Sequence, residues 1–193
     1  MIKYCENKEF TDLQLFNEGI YDINFIDCRF INCKFEKVTL YGCRFSECIF
    51  IDCTFTDIKN EGTTLCYLTF EKCTLTTVNW GMFASAGGFS DPVNRMTDCN
   101  LKYNVFAEMN LKKFSFGSNN IIDSVFSDCN LSESNFNNCN LTATEFFRCD
   151  ISKSDFRNAK GYKIDIMSCN MKKSEFSYPD AINLLDSLDI RIE

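Results

Sequence analysis

The chain has 193 residues and is 45% hydrophobic, enough for a sizeable core and too apolar for wholesale disorder. Phe and Cys are abundant, at 20 and 13, but there is no His, which excludes Ser/His/Asp and Cys/His nucleophilic catalysis and any His-ligated metal. With 27 acidic against 20 basic residues the formal charge is −7, so a basic phosphate-binding surface is not expected, and a partner steered by charge is a basic one.

In chain order, the opening MIKYCENKEF lacks a basic segment followed by an apolar one, and no run of 18 apolar residues occurs anywhere. The expectation is a soluble, cytoplasmic protein with no membrane association. From residue 10 a period of five sets in. Every fifth residue from Phe10 through Leu15, Ile20, Phe25 and Phe30 to Trp80 is apolar except Asn60, and from Met96 to Phe176 the same step fails only at Gly161. Thirty apolar residues in 32 positions, where composition alone gives roughly fourteen, make this a structural column. Two places before these centres sit eleven of the thirteen cysteines, among them Cys28, Cys33, Cys43, Cys48, Cys53, Cys129 and Cys139. That slot wants something compact and buried, and the other three positions are mostly polar and should face water. Neither the 3.6 of a helix nor the 2.0 of a strand gives a period of five, so the chain must turn inward once per pentapeptide.

The rhythm breaks in three places. At Asn60 the phase survives, which implies a small loop or a distorted corner. Between Trp80 and Met96 lie sixteen steps instead of fifteen, and the intervening Gly87, Gly88 and Pro92 read as a loop at about 81–95. Its Met82, Phe83, Phe89 and Asp91 form the candidate partner-binding loop, with the aromatics either tucked back on the core or offered outward. After Tyr178, the spacing of Ala181, Ile182, Leu185 and Leu188 predicts a helix, and Ile190 and Ile192 alternate beyond it. This helix either caps the last repeat or joins two copies through Ile182, Leu185, Leu188, Ile190 and Ile192. The domain organisation is then a repeat domain over 1–178 and a C-terminal helix and tail over 179–193. Consecutive cysteine slots lie on different sides of the chain path, so buried reduced thiols, and no metal site, are expected.

Segments such as Cys129-Asn130-Leu131-Ser132-Glu133 and Ser134-Asn135-Phe136-Asn137-Asn138 resemble the motif of the pentapeptide repeat family: a small residue, Asp or Asn, Leu or Phe, then two variable residues. The resemblance covers about residues 20–178. It implies an all-β fold, a right-handed quadrilateral β-helix in which four pentapeptides make one coil and residues twenty apart stack. Within the family, the breaks near 57–63 and 81–95 and the acidic amphipathic end LLDSLDIRIE resemble the topoisomerase-protecting branch of the Qnr and microcin-immunity type. That branch implies a DNA-mimicking homodimer, joined through its C-termini, that binds bacterial DNA gyrase or topoisomerase IV and not nucleic acid, and confers resistance to quinolones or immunity to a toxin.

Mimicry requires carboxylates stacked along an outward side. Asp27 with Glu47, and Glu108 with Asp128, fall three places before a centre at twenty-residue separation; Glu145 with Asp165, and Asp155 with Glu175, fall one place before. As solvated side chains these acids need no function, and Arg29, Lys34, Arg44, Lys153 and Lys173 interrupt them. The alternative function is a repeat scaffold for another protein partner. No catalytic pair, phosphate loop or cofactor motif stands out, so an enzyme is not expected.

Overall fold

The computed structural model describes residues 3–83, 92–188 and 190. They belong to two compact units, residues 1–100 and 101–193.

In the first unit, β1 (Lys3–Glu6), β2 (Glu9–Thr11), β3 (Gln14–Phe16) and β4 (Gly19–Tyr21) make one four-sided circuit, and β5 (Ile23–Ile26) returns beside β1. Pairing is parallel with a step of twenty: Phe10 lies opposite Phe30, Leu15 opposite Phe35, Ile20 opposite Leu40 and Phe25 opposite Phe45. A parallel β-helix with four sides follows, in which each centre stacks on the centres one coil away and meets centres of neighbouring sides edge-on, as Phe25 meets Phe30 at 5.5 Å. Ring centroids of Phe30 and Phe50 are 4.7 Å apart and nearly coplanar in orientation, so the coil repeat matches the spacing of hydrogen-bonded strands.

The residue three places before each centre turns the chain. From Asn7 to Thr77 this slot has positive φ in every repeat, between +49° and +56° except for Gly62 at +77°. Asn, Asp and Gly tolerate that left-handed conformation best, and they fill ten of the fifteen corners. The next residue is Cys at six of these corners, and all six are buried inside the corner. Each sulfur donates to carbonyls of its own and the preceding coil, as Cys53 Sγ does to Ile51 O and Phe30 O, both at 3.3 Å. A compact weak donor therefore fits the corner and adds a second bond to carbonyls such as Ile51 O, which already accepts from Asn32 N–H at 3.0 Å.

Both breaks in the first unit are explained by their contacts. Asn60 stays in its strand, opposite Leu40, while its side chain accepts from Thr63 N–H at 2.7 Å and donates to Met82 O at 2.6 Å. It holds the short 3-10 turn Trp80–Phe83 in place of filling the column. Pairing resumes in Val93–Thr97 with a one-residue slip, Val93 lying opposite Leu68 but Arg95 and Met96 opposite Thr69 and Phe70, which absorbs the sixteenth step.

The second unit uses the same plan. Phe106, Phe126 and Phe146 stand opposite one another in successive coils, and Asn110, Asn130, Asp150 and Asn170 pair in a line on another side. Half of its corners are closed β-turns, such as Ser134 N–H to Leu131 O at 3.1 Å, with Glu133 at φ +63° supplying the positive third position of a type II turn. The Asp or Asn before the centre completes the turn: Asn130 Oδ1 accepts from Ser132 N–H, Asn135 Oδ1 from Asn137 N–H and Asp150 Oδ1 from Ser152 N–H. Asn104 and Asn119, polar exceptions in the small-residue slot, are buried with their amides donating to Lys102 O and Phe116 O.

Near Gly161 the structure corrects the sequence register. Asn140 lies opposite Lys160 as expected, but the pairing then slips by two residues, so Phe146 faces Ile164 and Tyr162 is drawn into the core. Ile166 is therefore not the centre of that repeat. The slack is taken up by a turn in which Ser168 and Cys169 N–H both donate to Asp165 O, and Asp150 again finds Asn170 twenty residues on. The 3-10 helix Asp180–Leu188 then packs against Lys160–Ile164 and covers the last coil.

Candidate partner-binding surfaces

The four predicted carboxylate pairs fare differently. Asp27 and Glu47 occupy successive positive-φ corners of the first unit, one coil apart and exposed, and on the adjacent corner Asp12, Asn32 and Asp52 stack, with Asn32 Nδ2 donating to Asp12 Oδ1 at 2.6 Å. Among the described residues of this unit only Glu9 has an ion pair, with Arg29 at 3.7 Å. Residues 1–100 carry 14 acids to 9 bases, so this charge is largely uncompensated.

In the second unit the acids are committed elsewhere. Glu108 and Asp128 share a corner, but Arg148 follows in the same slot and grips Asp128 with two bonds of 2.7 and 2.8 Å, holding that carboxyl below the usual carboxylate range. Asp155 does stand opposite Glu175, yet Arg157 bridges them at 2.8 and 3.1 Å and likewise keeps the Asp155 carboxyl low. Glu145 and Asp165 do not stack at all. The two-residue slip sets Lys163 opposite Glu145, 3.9 Å away, and turns Asp165 to accept from Ser168 Oγ and Met167 N–H, which hold its carboxyl low as well.

Of the loop residues, Met82 is 56% exposed, whereas Phe83 is 4% exposed and lines an apolar cavity of about 40 Å³ with Leu65 and Trp80. Phe83 is thus a core residue and not an outward aromatic: the turn that Asn60 anchors folds its ring back into the coil. Phe89 and Asp91 lie outside the described residues. At the C-terminus, Ile182, Leu188 and Ile190 are 45%, 38% and 55% exposed, Leu185 is half-buried, and Ile192 lies outside the described residues. The column thiols are all free, and burial pushes those of Cys48 and Cys139 up to about 12. Among the described residues no three His, Cys, Asp or Glu side chains converge to hold a metal, and no helix is long and apolar enough to cross a membrane.

Sequence reasoning missed one charged feature. Four stacked turns of the second unit carry Lys112 and Lys113, Ser132 and Glu133, Ser152 and Lys153, and Lys172 and Lys173 at their tips. The five-residue alignment that revealed the acids contains these lysines in the same slots.

A parallel four-sided coil of pentapeptides defines a class, and family models agree with it. Residues 23–84 match the pentapeptide repeat region and residues 124–160 match pentapeptide repeats in eight copies; the chain belongs to the pentapeptide repeat family. Neither description is that of a catalytic family. No curated protein sequence matches significantly. Solved structures similar to this chain include full-length QnrB1, described as a plasmid-mediated fluoroquinolone resistance protein, at 18% identity and TM-score 0.43 over 94% of this chain and 100% of that one. HetL, a pentapeptide repeat protein involved in heterocyst differentiation regulation from the cyanobacterium Nostoc sp. strain PCC 7120, is similar at 10% identity and TM-score 0.31 over 88% and 85%.

Proposed function

We propose that the protein is a non-catalytic binding module that presents the carboxylate corners of its first unit to a basic groove on a partner protein, specifically the DNA-binding groove of bacterial DNA gyrase or topoisomerase IV, and so protects that enzyme from a poison. The observation that carries this is the set Asp12, Asp52, Asp27 and Glu47: exposed, on adjacent corners and without ion pairs among the described residues, with Asp27 and Glu47 one coil apart and Asp12 and Asp52 two coils apart around Asn32. One carboxylate per coil, about 4.8 Å, approaches the 3.4 Å axial spacing of phosphates along one DNA strand. Lysines and arginines placed for phosphates therefore meet charge of the right sign and similar density, and the attraction falls as salt rises. Exposed Ile182, Leu188 and Ile190 support pairing of two copies through the C-terminal cap.

Supercoiling and drug-stabilised cleavage assays with purified gyrase test the reading. Wild-type protein should inhibit supercoiling or reduce cleavage at low salt, and D27K/E47K should lose that effect while remaining folded. No change in either activity at low salt overturns it. The second reading, a repeat scaffold for a different protein, is favoured by the second unit, where Asp128, Asp155 and Glu145 are paired with Arg148, Arg157 and Lys163 and so are weaker phosphate substitutes.

A further inference from the structure

The turn tips of the second unit form a basic corner on an acidic protein. Glu133 pairs with Lys112 at 3.4 Å and Lys113 at 3.7 Å and also attracts Lys153, one acid against three lysines. Lys153, Lys172 and Lys173 are exposed and make no ion pair among the described residues. Lys153 and Lys173 occupy the same slot in successive coils, whose Phe156 and Phe176 rings stack at 5.2 Å. Two ammonium groups stacked this closely repel, as like charges directly across from each other do in any sheet. Nothing in the turn geometry demands lysine, since neighbouring turns use Ser, Asn and Glu at these positions. The arrangement is unfavourable by itself and becomes favourable when an anionic surface with the same repeat covers it.

Such a surface is present on the same chain. Asp27 and Glu47 occupy the same turn slot, with φ of +49° and +55° against +59° and +65° for Lys153 and Lys173. They too are one coil apart, on coils whose Phe30 and Phe50 rings repeat at 4.7 Å. Both columns leave their backbones from the same left-handed corner and advance with the same pitch. We propose that the corner formed by Lys153, Lys172 and Lys173 docks the Asp27 and Glu47 corner of a second copy of this chain. Polyanions such as nucleic acid are the weaker match, because their charge runs on continuously at about 3.4 Å per strand past a corner of three exposed lysines, whereas a second copy supplies a short acidic stripe of equal pitch. This contact is lateral and ionic, unlike the apolar C-terminal one. It uses the acidic corner assigned above to a basic partner, so self-association and partner binding compete.

Sedimentation equilibrium of the full chain separates these cases. The wild type should associate at about 0.01 M salt and lose that association at least tenfold by about 1 M, as the Debye length shrinks from about 30 Å to about 3 Å. Both K153E/K173E and D27K/E47K should lose the salt-sensitive step, and an equimolar mixture of the two should regain it, because each supplies the partner the other lacks. A C-terminal apolar dimer would persist in all of them and would not weaken with salt. Association that is insensitive to salt, or unaffected by either charge reversal, or not regained in the mixture, overturns the proposal. K153E/K173E, which cannot self-associate in this way, should still act on gyrase; if neither it nor the wild type does, while the wild type keeps its salt-sensitive association, the proposed function falls and this contact stands.

Discussion

Replacing Phe136 by Ala tests the register and the rigidity of the coil together. Its ring is fully buried, stacked on Phe116 at 4.8 Å and Phe156 at 4.7 Å and edge-on to Phe126 and Phe146 at 5.7 and 5.5 Å. Burying a Phe side chain contributes about 1.5–3 kcal/mol by transfer, and the cavity left behind adds to the loss when its walls cannot move. Here they cannot: Phe136 N–H donates to Asp155 O at 2.8 Å and Asn135 N–H to Phe114 O at 2.9 Å, so the coils above and below are pinned at fixed spacing. The expected loss is about 4–5 kcal/mol, the upper part of the Phe-to-Ala range. Phe10 is the control, being half-buried in the first coil with one stacked neighbour, Phe30 at 4.8 Å, and one edge contact, Phe25. F10A should cost roughly half as much. Urea unfolding followed by circular dichroism, with m-values compared because repeat arrays can lose cooperativity, measures both. Equal losses at the two positions, or less than about 1 kcal/mol at Phe136, would refute the rigid-coil argument.

Other expectations concern the corners and the loop. In native protein, Cys28, Cys33, Cys48, Cys53 and Cys139 should resist a thiol reagent until denaturant is added, with half-buried Cys5 and Cys169 labelling first; fast labelling of most of the thirteen would contradict the buried slot. The Asp128 and Asp155 carboxyls are held low by Arg148 and Arg157, so their contribution is present above the ordinary Asp pKa of about 3.9 and is lost as pH falls through the lower folded value; R148Q and R157Q should flatten the acid limb of stability below about pH 4. F83A should destabilise the fold as a core truncation does, by roughly 3–5 kcal/mol, and an unchanged thermal midpoint would return Phe83 to the surface.

The centre column was legible because burial in a parallel coil admits only apolar side chains, and thirty of 32 positions obey. What was not legible were the compensations. Asn60 reads as a defect in one dimension, yet its amide ties Met82 O and Thr63 N–H, twenty-two and three residues away. Gly161 reads as a missing centre in an intact register, whereas Tyr162 and Ile164 take over the core and Asp165 absorbs the slip. Stacking of the acids followed from the period, but their neutralisation did not. Arg148 lies in the same slot as Asp128 and was visible in the alignment; Arg157 reaches Asp155 and Glu175 only because its side chain turns along the coil.

The left-handed corner offers a way to separate charge that serves the backbone from charge that serves a partner. Asp27 satisfies both, since Asp adopts positive φ readily. Glu47, Lys153 and Lys173 do not, because a long side chain gains nothing from that conformation, and a left-handed residue other than Gly, Asn or Asp costs about 1–2 kcal/mol. Glu47 follows Asn7 and Asp27 in its column, so at that corner the charge and not the backbone offers a reason to keep it. Glu47→Asn should therefore stabilise the first unit, by roughly 0.5–1 kcal/mol, because the φ of +55° becomes easier while the N–H bond to Cys66 O is kept. The same change should weaken capture of a basic partner at low salt. Glu108→Asn, in the column already gripped by Arg148, should bring a similar gain in stability with no loss of binding. If Glu47→Asn lowers the urea midpoint, or if both variants bind as the wild type does, the corner glutamate is held by local structure and the acidic column has no partner to meet.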